Sequence, residues 1–218
     1  MTPVEITVRG SHTVSLPPEQ ATVYANVGAE GPDPQPVFDL VARALADVTR
    51  SLESRQHTKN GPVTKLVIDQ VRRGSHRPFN RDGEQLPLVH TATVSITATF
   101  IDFEDLAAWV SGSAGIPGLG IGYIDWTLTD ATRLRVERKT RQKAVRDARR
   151  RAQDYADALD LGTVTVRTIS DPGTGGIGQR KVMMASAVAD SMGGAPEVSL
   201  RPDDVHIEAQ VEATFAVR

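Results

Sequence analysis

Val205-His-Ile-Glu-Ala-Gln-Val-Glu-Ala-Thr-Phe-Ala-Val217 alternates as far as Thr214 and ends on an apolar triplet. Val205, Ile207, Ala209, Val211, Ala213, Phe215 and Val217 take one side, and His206, Glu208, Gln210, Glu212 and Thr214 take the other. A two-residue period marks a strand with one buried and one solvated face. Strands of that kind build antiparallel sheets rather than buried parallel ones. The same pattern recurs upstream. Val4, Ile6 and Val8 alternate in residues 4–9, and Ala21, Val23, Ala25, Val27 and Ala29 do so opposite Thr22, Tyr24 and Asn26. Leu88, His90, Ala92, Val94, Ile96, Ala98 and Phe100 face away from Thr91, Thr93, Ser95, Thr97 and Thr99. Residues 63–72, 121–129 and 163–169 read as weaker or shorter strands.

Three segments change to helical period. Residues 37–53 carry Val37, Leu40, Val41, Ala44, Leu45, Val48 and Leu52 on one stripe, with Pro36 suited to a first turn. Residues 103–111 follow Asp102, a good N-cap. The longest helix is predicted from Asp130 to Leu159, stopped by Gly162, with Val145, Ala148, Ala152, Tyr155, Ala156 and Leu159 as its apolar stripe. Gly- and Pro-marked loops separate these elements at Gly74–Pro87, Gly112–Gly122 and Asp171–Pro202. The last, about thirty residues long, reads as a mobile arm with a short helix near Val182–Met192. Strands and helices interleave without a βαβ rhythm, so the class is α+β.

The chain has 218 residues, no cysteine and a formal net charge of −2. Its size and its ordinary apolar content allow a core without disulfides or metals. The missing cysteines exclude thiolate zinc sites and Cys nucleophiles. No apolar run reaches the ~20 residues of a membrane-spanning helix. The first residues carry no signal-type apolar core, and the expected location is therefore cytoplasmic.

The order of elements and several local phrases resemble the SIMPL-domain family of bacteria. They are Ile6-Thr-Val-Arg-Gly10 with Leu16-Pro-Pro-Glu-Gln-Ala-Thr-Val23, and Phe100-Ile-Asp-Phe-Glu-Asp-Leu106. Lys143-Ala-Val-Arg-Asp-Ala-Arg-Arg-Arg-Ala152 through Ala158-Leu-Asp-Leu-Gly162, and Arg201-Pro-Asp-Asp-Val205 through Phe215, complete the set. The resemblance spans nearly the whole chain, residues 1–218 as one unit. It implies two sandwich-like lobes of mainly antiparallel sheet packed with helices, both chain ends meeting in one sheet. Many relatives look secreted or periplasmic, and some form large homo-oligomers. The family has no agreed activity or catalytic motif, so the resemblance supplies no catalytic, cofactor-binding or metal-binding residue.

The residues themselves offer little chemistry. Gly173-Thr-Gly-Gly-Ile-Gly178 fits a dinucleotide fingerprint, but Asp171-Pro172 breaks the strand exit and no second strand follows. A flexible loop explains it better. The five histidines form no metal-ligand spacing. Glu208 and Glu212 stand roughly 13–14 Å apart along their strand, too far for a glycosidase pair. Trp109, Trp126, Tyr123 and Phe103 are scattered and read as core.

The unusual feature is charge. Residues 133–151 hold ten Lys/Arg against Glu137 and Asp147, a local net of +8 that leaves −10 on the remainder. A solvated face with Glu137–Arg141 and Asp147–Arg151 pairs is one reading. Nucleic-acid or anionic-membrane binding is a second, and the acidic remainder argues against nucleic acid. The third is pairing with an acidic protein surface, most simply a second copy. Arg138 and Arg141 project onto the extension of the Val145–Ala148–Ala152 stripe. Asp154, Asp157 and Asp160 crowd the final turns, where the helix dipole disfavours acids by ~0.3–1 kcal/mol. Two antiparallel copies would set each basic segment against the other's acidic end. Arg138, Arg141, Arg146, Arg149, Arg150, Asp154, Asp157 and Asp160 are therefore the interface candidates of a non-enzymatic, homo-oligomeric module. A small or anionic ligand held by the 112–122 and 171–202 loops is an alternative. A hydrolase site built across lobes from His76, His90 or His206 is another.

Overall fold

A computed structural model describes residues 4–56, 61–79, 85–171 and 200–217. These form β1 (Val4–Leu16), β2 (Gln20–Gly31), α1 (Pro34–Gln56), β3 (Val63–Ile68), β4 (Arg72–His76), β5 (Val89–Phe100), α2 (Phe103–Ser113), β6 (Leu119–Thr127), α3 (Asp130–Ala158), β7 (Val164–Ser170) and β8 (Val205–Val217). Every strand pairing is antiparallel, and the α+β class holds. Two compact units result. One takes the described residues up to Pro18, from Leu128 to Asp171 and from Asp203 onward; the other takes Glu19 to Thr127 with 200–202. The arm and short helix expected over 171–202, and the Gly173–Gly178 fingerprint, fall outside the described residues, apart from Asp171 and 200–202.

In the first unit the sheet order is β1-β8-β7. The ends of the chain do meet: β1 and β8 pair from Val4↔Val217 to Leu16↔Val205. The alternation of β8 does what its period predicts, burying Ile207, Ala209, Val211, Ala213 and Phe215 and exposing His206, Glu208, Gln210 and Glu212. Strand β1 runs on through Gly10 to Leu16, seven residues past the expected 4–9 segment. Helix α3 covers the apolar face with Ala144, Ala148, Ala152 and Ala156, all fully buried.

That line keeps Ala148, Ala152 and Ala156 of the expected stripe and replaces its larger members. Val145, Tyr155 and Leu159 are 38%, 60% and 64% exposed. The helix lies too close to the sheet for larger side chains on the contact line. At Gly10 a Cβ would overlap the Ala144 carbonyl oxygen and stand 2.7 Å from the Ala148 Cβ. The stop also comes earlier than Gly162. Asp160 takes a left-handed φ of 51°, and the Leu161 N–H returns to the Ala156 carbonyl at 2.8 Å. Aspartate is among the residues that tolerate this conformation.

The second unit has the order β3-β5-β2-β6, with β4 pairing the other half of β5. Buried Ala21, Val23, Ala25 and Val27 of β2 and Ala92, Val94, Ile96, Ala98 and Phe100 of β5 face α1 through Val37, Val41, Ala44, Val48 and Leu52. Leu106, Trp109 and Val110 of α2 close the same core. Asp102 caps α2 as its sequence position suggests, its Oδ1 accepting from the Glu104 and Asp105 N–H groups. The Trp109 indole N–H donates to Ser51 Oγ at 3.1 Å, which satisfies the ring's single polar atom.

Two expected loops shrink. Residues 63–72 divide into β3 and the start of β4, and β4 carries Gly74–His76 into the sheet opposite 89–91. Gly112 belongs to α2 and 119–122 to β6, so 112–122 reduces to a turn at 114–118. Gly118 has φ +76° and lies against β2, where its carbonyl accepts from the Gly28 N–H at 2.9 Å. Only glycine fits there, because a Cβ would overlap the Gly28 carbonyl.

Candidate functional site

Thr129 caps α3, accepting from the Thr132 N–H at 3.4 Å. From there the helix runs 29 residues with its alanine line inward and its charges outward. Both pairs expected from spacing form: Arg141–Glu137 at 3.9 Å and Arg151–Asp147 at 3.0 Å. Arg133 bonds Asp130 at 2.9 Å and also lies 3.7 Å from Glu137. Arg150 bonds Asp147 at 2.7 Å. Six cations of the run, Arg135, Arg138, Lys139, Lys143, Arg146 and Arg149, form no ion pair with a described carboxylate.

Asp147 does more than its spacing suggested. Its Oδ2 accepts the Ser11 backbone N–H at 3.1 Å, and Arg151 donates to the Arg9 carbonyl at 3.3 Å. Strand β1 is a sheet edge, and these two side chains occupy its middle, a protection of the kind exposed edges need. The Ser11 N–H first, then the Arg151 and Arg150 guanidinium groups, hold the Asp147 carboxyl below the usual range, against partial burial that raises it. Helical spacing cannot reveal this role, because the partner is a backbone group 136 residues away.

The eight interface candidates all lie at the surface of this unit, Arg141 half-buried and the others exposed. They do not share one face. At about 100° per residue, Arg146, Arg150, Asp154 and Asp157 fall within an arc of roughly 80° that points away from the buried line near the middle of the helix. Arg138, Arg141 and Arg149 project to one flank, beside exposed Leu134 and Val145, and Asp160 lies past the helix end. The alanines cannot serve a helix–helix contact, since the chain's own sheet takes that face.

Other chemistry stays dispersed. Ser15 Oγ and His206 Nδ1 are 2.7 Å apart on the solvated face of β1 and β8. Among the described residues no histidine hydrogen-bonds a carboxylate, and no three His, Asp or Glu side chains gather as a metal site. No described helix is long and apolar enough to cross a membrane. The aromatic reading needs one correction. Trp109 packs on Phe100 and Trp126 on Phe103, but Tyr123 turns to the opposite sheet face and stacks on Tyr24. Each tyrosine sits on the polar side of its strand's alternation, and only the β2–β6 register brings them together.

Residues 6–215 match the SIMPL family, described as proteins of unknown function (DUF541). The chain belongs to the SIMPL family. No curated protein matches it closely enough to add a relative. The match takes in both units, from Ile6 in β1 to Phe215 in β8, and therefore includes most of the β1–β8 pairing and the whole of α3.

Proposed function

We propose that this SIMPL chain is a self-associating interaction module without catalytic activity, and that the outward face of α3 sets the register between copies. The observation that carries the reading is the order of exposed charges along that face: Arg146, Arg150, Asp154, Asp157. Arg146 and Asp157 stand eleven positions apart, ~16 Å along the axis, and cannot meet within one helix. A two-fold axis near residue 152 sets Arg146 opposite Asp157 and Arg150 opposite Asp154 of a second, antiparallel copy. Both pairs sit on the same arc, the self-complementarity an isologous contact requires.

Magnitudes limit what the charges do. Exposed pairs contribute ~0.2–1 kcal/mol each, so four of them fall short of the ~8 kcal/mol of a micromolar complex. Arg150 must also share its bond to Asp147. The charges fix orientation, and apolar burial supplies the remainder. The same unit exposes Tyr155, Leu159, Val166 and Ile169 at 55–64%, and covering each adds roughly 1–2 kcal/mol. The alternative occupant is an acidic protein, which the unpaired cations would also suit. The ligand and hydrolase readings have less support. The turn at 114–118 is seated on β2, and His76, His90 and His206 have no carboxylate partner among the described residues.

Light scattering after gel filtration, over a range of concentration and salt, tests the proposal. The chain should exceed monomer mass at tens of micromolar in low salt, and added salt should lower the mass by screening the exposed pairs. A monomer at every concentration and salt would end the reading.

A further inference from the structure

The chain holds three tyrosines and no cysteine. Two of the three are in contact. Tyr24 on β2 and Tyr123 on β6 are register partners, with ring centroids 4.3 Å apart and planes 15° from parallel. Both side chains are half-exposed, on the face of the sheet opposite α1. As register partners on neighbouring strands the two side chains leave the sheet side by side, so the rings lie face to face along their length. The local backbone supports the arrangement. A register shift after Tyr24 leaves Gly122 unpaired beside the Tyr24 carbonyl, where a Cβ would stand at 3.2 Å.

Stacking of this kind contributes ~0.5–1.5 kcal/mol, but that does not require two phenols. A Phe–Tyr pair would stack as well. What two phenols add is oxidation chemistry, and this pair has the geometry for it. We propose that Tyr24 and Tyr123 are a site of oxidative cross-linking, joined as an intramolecular dityrosine by a one-electron oxidant such as hydrogen peroxide acting through a haem peroxidase.

The step balances. Each phenol gives up one electron and one proton, leaving two phenoxyl radicals. These pair their electrons in a new carbon–carbon bond between one ring position ortho to each oxygen. The hydrogen on each bonded carbon then moves to the phenol oxygen as a proton, which restores both aromatic rings. The protein loses two hydrogen atoms in all, and one hydrogen peroxide is reduced to two waters. Pre-stacking removes the diffusional encounter that coupling otherwise needs. A phenol is neutral at ordinary pH, and burial, helped by Tyr123 and Asp125, raises the Tyr24 group further, so the proton leaves with the electron. The product would tie edge strand β6 to central strand β2 across a long loop, a constraint that a chain without cysteine cannot obtain from a disulfide.

The third tyrosine makes the test decisive. Tyr155 is 60% exposed on α3, and the other two lie in the second unit. The full chain is treated at low concentration with hydrogen peroxide and a haem peroxidase, then digested and mapped by mass spectrometry, with dityrosine fluorescence as a second readout. The expected result is one intramolecular cross-link joining the peptides of Tyr24 and Tyr123, two hydrogens lighter than their sum, and a raised melting temperature for the treated protein. Tyr24→Phe preserves the stack and should abolish that product, whereas Tyr155→Phe should leave its yield unchanged. Cross-links found only between chains through Tyr155, or a product undiminished in Tyr24→Phe, would overturn the proposal. This test does not depend on self-association, since dilution removes assembly and leaves the tyrosine pair.

Discussion

Replacing Gly10 by alanine adds a single methyl group, and it should be among the costliest small changes in the first unit. The new Cβ would overlap the Ala144 carbonyl oxygen and lie 2.5 Å from the Ala148 backbone nitrogen. Ordinary contact begins near 3.4 Å, so α3 must lift by about 1 Å. Helix backbone cannot rotate aside as a side chain can. A gap of that size forfeits a quarter to a half of the dispersion attraction along the contact, here between the alanine line and Val8, Val211 and Phe215. Overpacking of this kind costs ~3 kcal/mol. In a unit this small that corresponds to a fall in melting temperature of roughly 10–20 °C. The control is Gly112→Ala, where the added Cβ meets nothing within 4 Å inside a helix. It should stabilise by ~0.5–1 kcal/mol. Thermal and urea unfolding followed by circular dichroism measures both. If Gly10→Ala unfolds like the parent, α3 does not lie on β1 as described.

Three further outcomes follow from the packing. Asp147→Ala should cost about 1–2 kcal/mol, as the Ser11 N–H loses its acceptor, and Asp147→Asn should cost less. Because the Asp147 carboxyl is depressed in the folded chain, its stabilisation is present above the unfolded value of ~3.9 and is lost as pH falls through the lower folded value. Acid titration of stability should therefore show a step below about pH 4 that Asp147→Asn removes. Leu52→Ala, at a fully buried position of α1, should cost ~2–5 kcal/mol in urea unfolding; a value under 1 kcal/mol would contradict its place in the core. Removing residues 203–218 takes away the central strand β8, and the first unit should lose its cooperative transition while that of the second persists. An unchanged melting profile would refute the strand order.

Much of this architecture is legible in local sequence because period and face are local properties. The alternation of 205–217 marks β8 to the residue, and Asp102 marks the start of α2. Failures come where distance matters. Hydrophobicity along α3 favours Val145, Tyr155 and Leu159 beside the alanines. The fold instead selects by size, because Gly10 brings the backbones together. No pattern within α3 says that a glycine 134 positions earlier will decide its buried line. The edge contact of Asp147 and the Tyr24–Tyr123 stack are hidden for the same reason, since each depends on a register formed only in the folded sheet. The basic run is plain in the sequence, but its division into an arc and a flank depends on how the helix is turned against the sheet.

The claim that α3 sets the register between copies is tested most directly by exchanging two charges. Arg146→Glu sets a carboxylate against Asp157 of a second copy, and Asp157→Arg sets a guanidinium against Arg146. Each should lower the sedimentation-derived mass at tens of micromolar in low salt. The double exchange restores opposite charges across the proposed two-fold axis, and it should return the mass toward that of the parent, the non-additivity expected of interacting positions. A double variant no more associated than either single one, or single variants that assemble like the parent, would contradict the account.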